Sequence, residues 1–167
     1  MNKKGELLSQ PFIYIFMIIV IGLVVILGFT NLKNLIGFGC TVESEKLMHD
    51  FKNNVKQMYG FSSGSKQKYS FTTPSGINGI CFVDSTMSPD LAKITYKDIQ
   101  DYVAIKSSAG DLNENIFFSG SDEECLPEPN KIDKLKVQGN TLCFNVAKGK
   151  FDYVLENKGT FVEISKP

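Results

Sequence analysis

The residues able to do chemistry are few: one histidine, His49; four cysteines, Cys40, Cys81, Cys125 and Cys143; and an acidic run, Asp122-Glu123-Glu124, with Glu128 beyond it. One histidine cannot make a two-histidine metal site or a pair of histidine bases within a single chain. A Ser/His/Asp or Cys/His arrangement would need His49 to meet a nucleophile on another element, and no local signature points to one. Set between Met48 and Asp50 in an amphipathic stretch, His49 reads as a residue at the solvent edge of a helix. The acidic run offers oxygen ligands for a hard cation such as calcium but lacks the alternating ligands and the glycine of a calcium loop, so it reads as a solvated charge run. No glycine-rich loop follows a strand as a phosphate cradle requires. No catalytic, metal or cofactor-binding residue is assigned, no cofactor is expected, and the expected class is non-enzymatic. A membrane-anchored enzyme with no recognisable site is the third reading.

The cysteines carry a structural reading. No Cys-x-x-Cys pair occurs among them, and an even number in an extracytoplasmic domain implies two disulfides. Four cysteines allow three pairings. Cys81 and Cys143 sit in matching contexts, Ile80-Cys81-Phe82 and Leu142-Cys143-Phe144, which predicts that they face each other across the domain and leaves Cys40 with Cys125. The competing reading is four reduced cysteines buried as small apolar residues in a cytosolic domain.

The compartment follows from the first forty residues. A Lys3-Lys4-Gly5 head precedes a run from Pro11 to Phe29 with no charged residue, and the next charge is Lys33. At about 1.5 Å per residue the run reaches about 28 Å, against the roughly 30 Å of hydrocarbon in a bilayer. Fourteen of its nineteen residues are Leu, Ile, Val or Phe, among them Phe12, Ile13, Ile19, Leu23, Leu27 and Phe29. Together they are worth roughly −4 to −8 kcal/mol for insertion, opposed by Pro11, Tyr14, two glycines and a weakly apolar Met17. A removable secretory signal would have a shorter apolar core and an Ala-x-Ala-like site, and none follows Phe29. A retained span is expected. Lys3, Lys4 and the terminal amine before it, against Lys33 after it, place the N-terminus in the cytoplasm and the C-terminal domain outside.

Residues 1–39 are therefore read as cytoplasmic head, transmembrane helix and a Gly37-Phe38-Gly39 junction that is a weak point or end of the helix and a plausible hinge. Residues 40–167 are read as one extracytoplasmic domain, since 128 residues suffice for one core and not for two ordinary domains. In that domain 15 Lys stand against 17 Asp and Glu, a net charge of −2, which gives no electrostatic footprint for nucleic acid. Every basic residue is Lys, so bidentate arginine clamps on phosphate are unavailable, and no Asn-x-Ser/Thr sequon is present.

The elements that must position these residues follow from periodicity. From Val42 to Met58, Leu47, Met48, Phe51, Val55 and Met58 fall on one face of a helix that covers the sheet of its own domain; the alternative makes Leu47, Phe51 and Val55 a face for a partner. Gly60 to Ser65 is a loop, Tyr69/Phe71 and Ile80 to Val83 read as two strands around Pro74-Ser75-Gly76, and Ser88-Pro89-Asp90 opens a second helix running to about Ala104. After a loop from Ser107 to Asn113, Ile116 to Phe118 is a short strand, and Ser119 to Asn130 is a polar loop. Leu142/Phe144/Val146, then Phe151/Tyr153/Leu155 after Lys148-Gly149-Lys150, then Phe161 to Ile164 after Asn157-Lys158-Gly159, predict an antiparallel meander with one buried face. Helices before and between strands, followed by a meander, predict an α+β fold with two packed helices.

The Lys-Lys-Gly head, the apolar helix starting within a few residues of it and the β-rich extracytoplasmic domain together resemble archaeal type IV pilin-like proteins with a class III signal peptide. The match covers about the first 30 residues. The later domain also looks like small archaeal membrane proteins, a likeness that supplies no activity. The resemblance implies that a prepilin-type peptidase cuts between Gly5 and Glu6, after the Lys4-Gly5 step, and that the freed helix packs with copies of itself as the core of an extracellular filament. The expected function is thus a pilin-like structural subunit of the cell surface. The alternative is an uncleaved single-pass anchor whose ectodomain binds or organises another envelope protein. Expected partners are membrane lipid, and copies of the chain or other envelope proteins.

Overall fold

A computed structural model describes residues 6–121 and 126–167, with side chains described for 11–28, 42–121 and 126–167. The order is α1 (Glu6–Tyr59), β1 (Lys66–Thr72), β2 (Ile77–Val83), a 3₁₀ turn (Leu91–Lys93), α2 (Lys97–Ser108), β3 (Ile116–Gly120), β4 (Leu135–Val137), β5 (Thr141–Asn145), β6 (Lys150–Asn157) and β7 (Val162–Ser165). The class is α+β, with one apolar N-terminal helix. The chain divides into two compact units, Met1–Gly39 and Cys40–Pro167.

The apolar segment and the amphipathic segment belong to one helix. The chain stays helical through Gly37-Phe38-Gly39, so the expectation of a helix end there is not met. Glycines weaken a helix by about 1 kcal/mol each, and here the helix continues through two of them. The stripe read from the sequence is the one that is buried: Leu47, Met48, Phe51, Val55 and Met58 all lie in the main core. That face is taken up by the domain's own interior, so Leu47, Phe51 and Val55 are not offered to a partner.

The strands form two sheets rather than one. The first has the order β1-β6-β7-β4, antiparallel except that β4 runs parallel to β7; the second is antiparallel, β3-β2-β5. This corrects two expectations. β1 and β2 are not neighbours, because the chain passes between sheets at Thr73-Pro74-Ser75-Gly76, where the Thr73 amide donates to Gly149. The meander holds only for β6 and β7: β5 pairs with β2, and the chain changes sheets through the two-residue turn Lys148-Gly149. Both turn residues have left-handed φ, 54° and 68°, as a type I′ turn demands.

The second helix also differs from expectation. Pro89-Asp90 leads only into the 3₁₀ turn, the chain extends through Tyr96, and α2 begins at Lys97. Ile94 is thereby inserted into the core, and the Tyr96 hydroxyl donates to the carbonyls of Asn78 and Phe144. The Tyr96 ring lies against Gly79, where an added Cβ would come within 2.0 Å of it, so the tyrosine needs a glycine opposite.

Two apolar clusters result. The larger joins α1, the first sheet and one face of the second, and contains ring contacts of Phe51 with Phe82 (5.3 Å) and Tyr153 (5.1 Å). The smaller lies between the other face of the second sheet and α2, with Val83, Ile99, Val103 and Phe117 around a disulfide from Cys81 to Cys143. The two cysteines stand directly opposite in the β2–β5 register, Cα atoms 4.1 Å apart. The bond therefore joins neighbouring strands and does not cross the domain. The Cys40–Cys125 pairing lies outside the described residues, as does the acidic run Asp122-Glu123-Glu124.

Candidate functional site

The most unusual surface is the helix from Pro11 to Gly28, long and apolar enough to cross a membrane, with no residue buried. Its large apolar side chains are 37 to 78% exposed. Phe12, Ile13, Ile19, Leu23 and Leu27 all belong to this exposed set. An apolar surface of this extent is stable only against lipid or against other apolar helices. Glu6 is the first helical residue and Phe29 lies within the helix, while Lys4 and Gly5 lie outside the described residues.

The other half of α1 is fastened to its own domain, residues 40–167 and hereafter the head, by a buried Asn157 and a half-buried Asn54 that periodicity does not reveal. Asn157, at the end of β6, directs its Nδ2 to the carbonyls of Met58 (3.2 Å), Tyr59 (3.1 Å) and Phe61 (2.7 Å), at and just past the helix end, where Met58 also accepts from the Phe61 amide. Its Oδ1 accepts from the Gly159 amide at 2.7 Å. One turn earlier, Asn54 Nδ2 donates to the buried Tyr153 hydroxyl at 3.2 Å. In the sequence Asn157 carried only a turn signal, Asn-Lys-Gly, and its reach to α1 is visible only in three dimensions.

His49 lies exposed on α1, Nδ1 3.6 Å from the Asp50 carboxylate and accepting from Asn53 at 3.2 Å. Among the described residues no three His, Cys, Asp or Glu side chains converge as metal ligands. On this flank an open groove of about 660 Å³ runs between α1 (Glu43, Lys46, Asp50) and Ser70–Pro74. Thr73 Oγ1 beside it is the buried side-chain polar atom without a hydrogen bond among the described residues. The edge strand β1 is exposed and carries Lys66 and Lys68; the Lys68 ammonium, 2.8 Å from Asp152, holds that carboxyl below its ordinary range. Charged side chains on such an edge disfavour pairing with a stray strand.

On the opposite flank of α1, two adjoining clefts of about 290 and 400 Å³ share a wall formed by residues 131–134. Both are open; four lysines stand with Asp133 around the first, and three with Asp84 and Asp133 around the second. Ser119, whose hydroxyl donates to Asp98 at 3.0 Å, and Thr86, whose hydroxyl donates to Asp84 at 2.6 Å, join a strand to a helix and close a turn respectively. Comparison of the chain with protein-family models, with curated proteins and with solved structures gives no match.

Proposed function

We propose that the chain is a non-enzymatic structural protein of the cell surface, a pilin-like subunit whose apolar helix, released by cleavage between Gly5 and Glu6, packs with copies of itself as a filament core. The observation that carries this reading is α1 itself. One helix, Glu6–Tyr59, is wholly exposed and apolar from Pro11 to Gly28 and turns a buried stripe into the head from Leu47 to Met58. A subunit built this way supplies its own polymerisation surface and its own display domain. The Cys81–Cys143 disulfide supports a head in an oxidising compartment, and Lys3 and Lys4 ahead of the span support a cytoplasmic start.

The second reading is an uncleaved single-pass anchor whose head binds or organises another envelope protein. It is favoured by the match between the apolar length and one bilayer thickness, since helix surfaces of Ile, Val, Leu and Phe are equally stable in lipid and against their own copies. The two readings separate on electron microscopy of material sheared from cells and labelled with antibody to the head. Regularly labelled filaments support the subunit. Label that remains wholly with detergent-soluble membrane overturns it in favour of the anchor.

A further inference from the structure

We propose that the flank of α1 beside the start of β4 binds an acidic polysaccharide. Five lysines, Lys52, Lys56, Lys131, Lys134 and Lys136, surround the two adjoining clefts. Among the described residues the lysine ion pairs are made elsewhere, by Lys68, Lys93, Lys106 and Lys158, and none of these five takes part in one. Three acids stand near these five lysines, with Glu163 opposite Lys136 in the β4–β7 register. Asp133 lines both clefts, and Asp84 lines the second, where it accepts from the Thr86 amide and hydroxyl. Five like charges on one small surface repel each other, and an anion bound among them relieves that repulsion.

The wall is organised before any ligand arrives. Buried Asn115 grips the Ile132 backbone at both ends, Nδ2 donating to its carbonyl and Oδ1 accepting from its amide, each at 2.8 Å. Asn130 Oδ1 accepts from the Lys52 ammonium at 3.0 Å and so fixes a cation of α1 against this wall. Lys134 holds a left-handed φ of 63°, a conformation in which glycine is at ease and lysine is strained. Its ammonium stands 5.7 Å from the centroid of Tyr59, and that of Lys136 stands 5.2 Å from the centroid of Phe161.

These features select the ligand class. Lysines are hydrated point charges without the planar fork of arginine, and they suit carboxylates or sulfates distributed along a polymer. Two partly exposed rings offer flat apolar surfaces to the carbon faces of sugar rings, and Ser85, Thr86 and Thr160 in the second cleft offer hydroxyls to sugar hydroxyls. Because the clefts share a wall, the track is longer than one sugar. Single-stranded nucleic acid would meet the same lysines, and the competition experiment below separates it from a polysaccharide. The inference holds for either fate of the N-terminal helix.

The test is retention of the full-length protein in detergent on immobilised polygalacturonate and on neutral dextran. Wild type is expected to be retained by polygalacturonate, released by added salt and not held by dextran. The triple variant Lys52→Gln/Lys131→Gln/Lys134→Gln should bind about tenfold more weakly, the worth of three exposed ion contacts. Lys134→Gly should also weaken binding while melting at or above the wild-type temperature, because it relieves backbone strain, so its loss of binding is not a folding defect. Lys97→Gln/Lys106→Gln on α2 should leave retention unchanged. The proposal is overturned by absence of retention, by an equal loss in the α2 variant, or by a single-stranded oligonucleotide that competes equally well with the same lysine dependence.

Discussion

Asn157 shows how much one side chain can hold. Its amide donates to carbonyls at and just past the end of α1 and accepts from Gly159, and its removal loses these bonds, each worth about 0.5–1.5 kcal/mol net, although the Met58 carbonyl keeps the Phe61 amide as a donor. Asn157→Ala should therefore lower stability by about 2–3 kcal/mol, read as the shift in urea midpoint of the detergent-solubilised protein. Titration gives a second prediction. Burial raises the pKa of Tyr153, with a smaller lowering from its Asn54 hydrogen bond, and burial also raises Tyr69 and Tyr96. A folded pKa above the unfolded one means that stability is fully present below the ordinary tyrosine value of about 10 and is lost as pH rises through it. Unfolding by base should begin near pH 10, and Tyr153→Phe should flatten the alkaline limb of a plot of stability against pH. At this scale the Cys81–Cys143 pairing was legible because both cysteines sit in matching strand contexts. Asn157 and the strained Lys134 were not, since an Asn-Lys-Gly run signals a turn and a lysine carries no mark of left-handed backbone.

At the scale of elements, periodicity and length were sufficient wherever local sequence dominates. The stripe Leu47 to Met58, the alternation Phe151/Tyr153/Leu155 and the apolar run beginning at Pro11 all appear as read. What failed was decided by tertiary contact. Ile94 and Tyr96 hold the chain extended where capping residues alone predict helix, and the three residues of β4 are too short to show an alternation. The apolar helix carries the most direct prediction. A lysine at its centre costs about 3 kcal/mol, so two cancel most of the roughly 4 to 8 kcal/mol that drives insertion. Ile19→Lys/Leu23→Lys should move the protein from the membrane pellet into the fraction extracted by alkaline carbonate, while Ile19→Leu should leave it in the membrane.

For the whole molecule, the division into two sheets assigns the stabilising roles. The disulfide fastens the second sheet internally beneath α2, closing a loop whose ends lie 62 residues apart in the sequence. Loop-closure entropy makes that bond worth about 4 kcal/mol, a large part of the net stability of a domain this size. Reduction should lower the urea midpoint accordingly, and Cys81→Ala/Cys143→Ala should reproduce the effect without reductant. Assignment of β1, β5 and β6 to sheets was beyond the sequence because alternation says which face of a strand is buried and not which strand lies beside it. The lysine track was beyond it for a related reason: Lys52 and Lys134 are far apart in the chain and line one cleft only in the folded domain, where Asn115 fastens the wall at Ile132.

The measurement that tests the central claim most directly is the intact mass and N-terminal sequence of the protein recovered from cells, with surface-sheared and detergent-extracted fractions analysed side by side. A filament subunit should begin at Glu6 in the sheared fraction, with Cys81 and Cys143 peptides joined until reduced. A protein that begins at Met1 and is found only in the detergent extract would contradict the filament account and leave a membrane-anchored head.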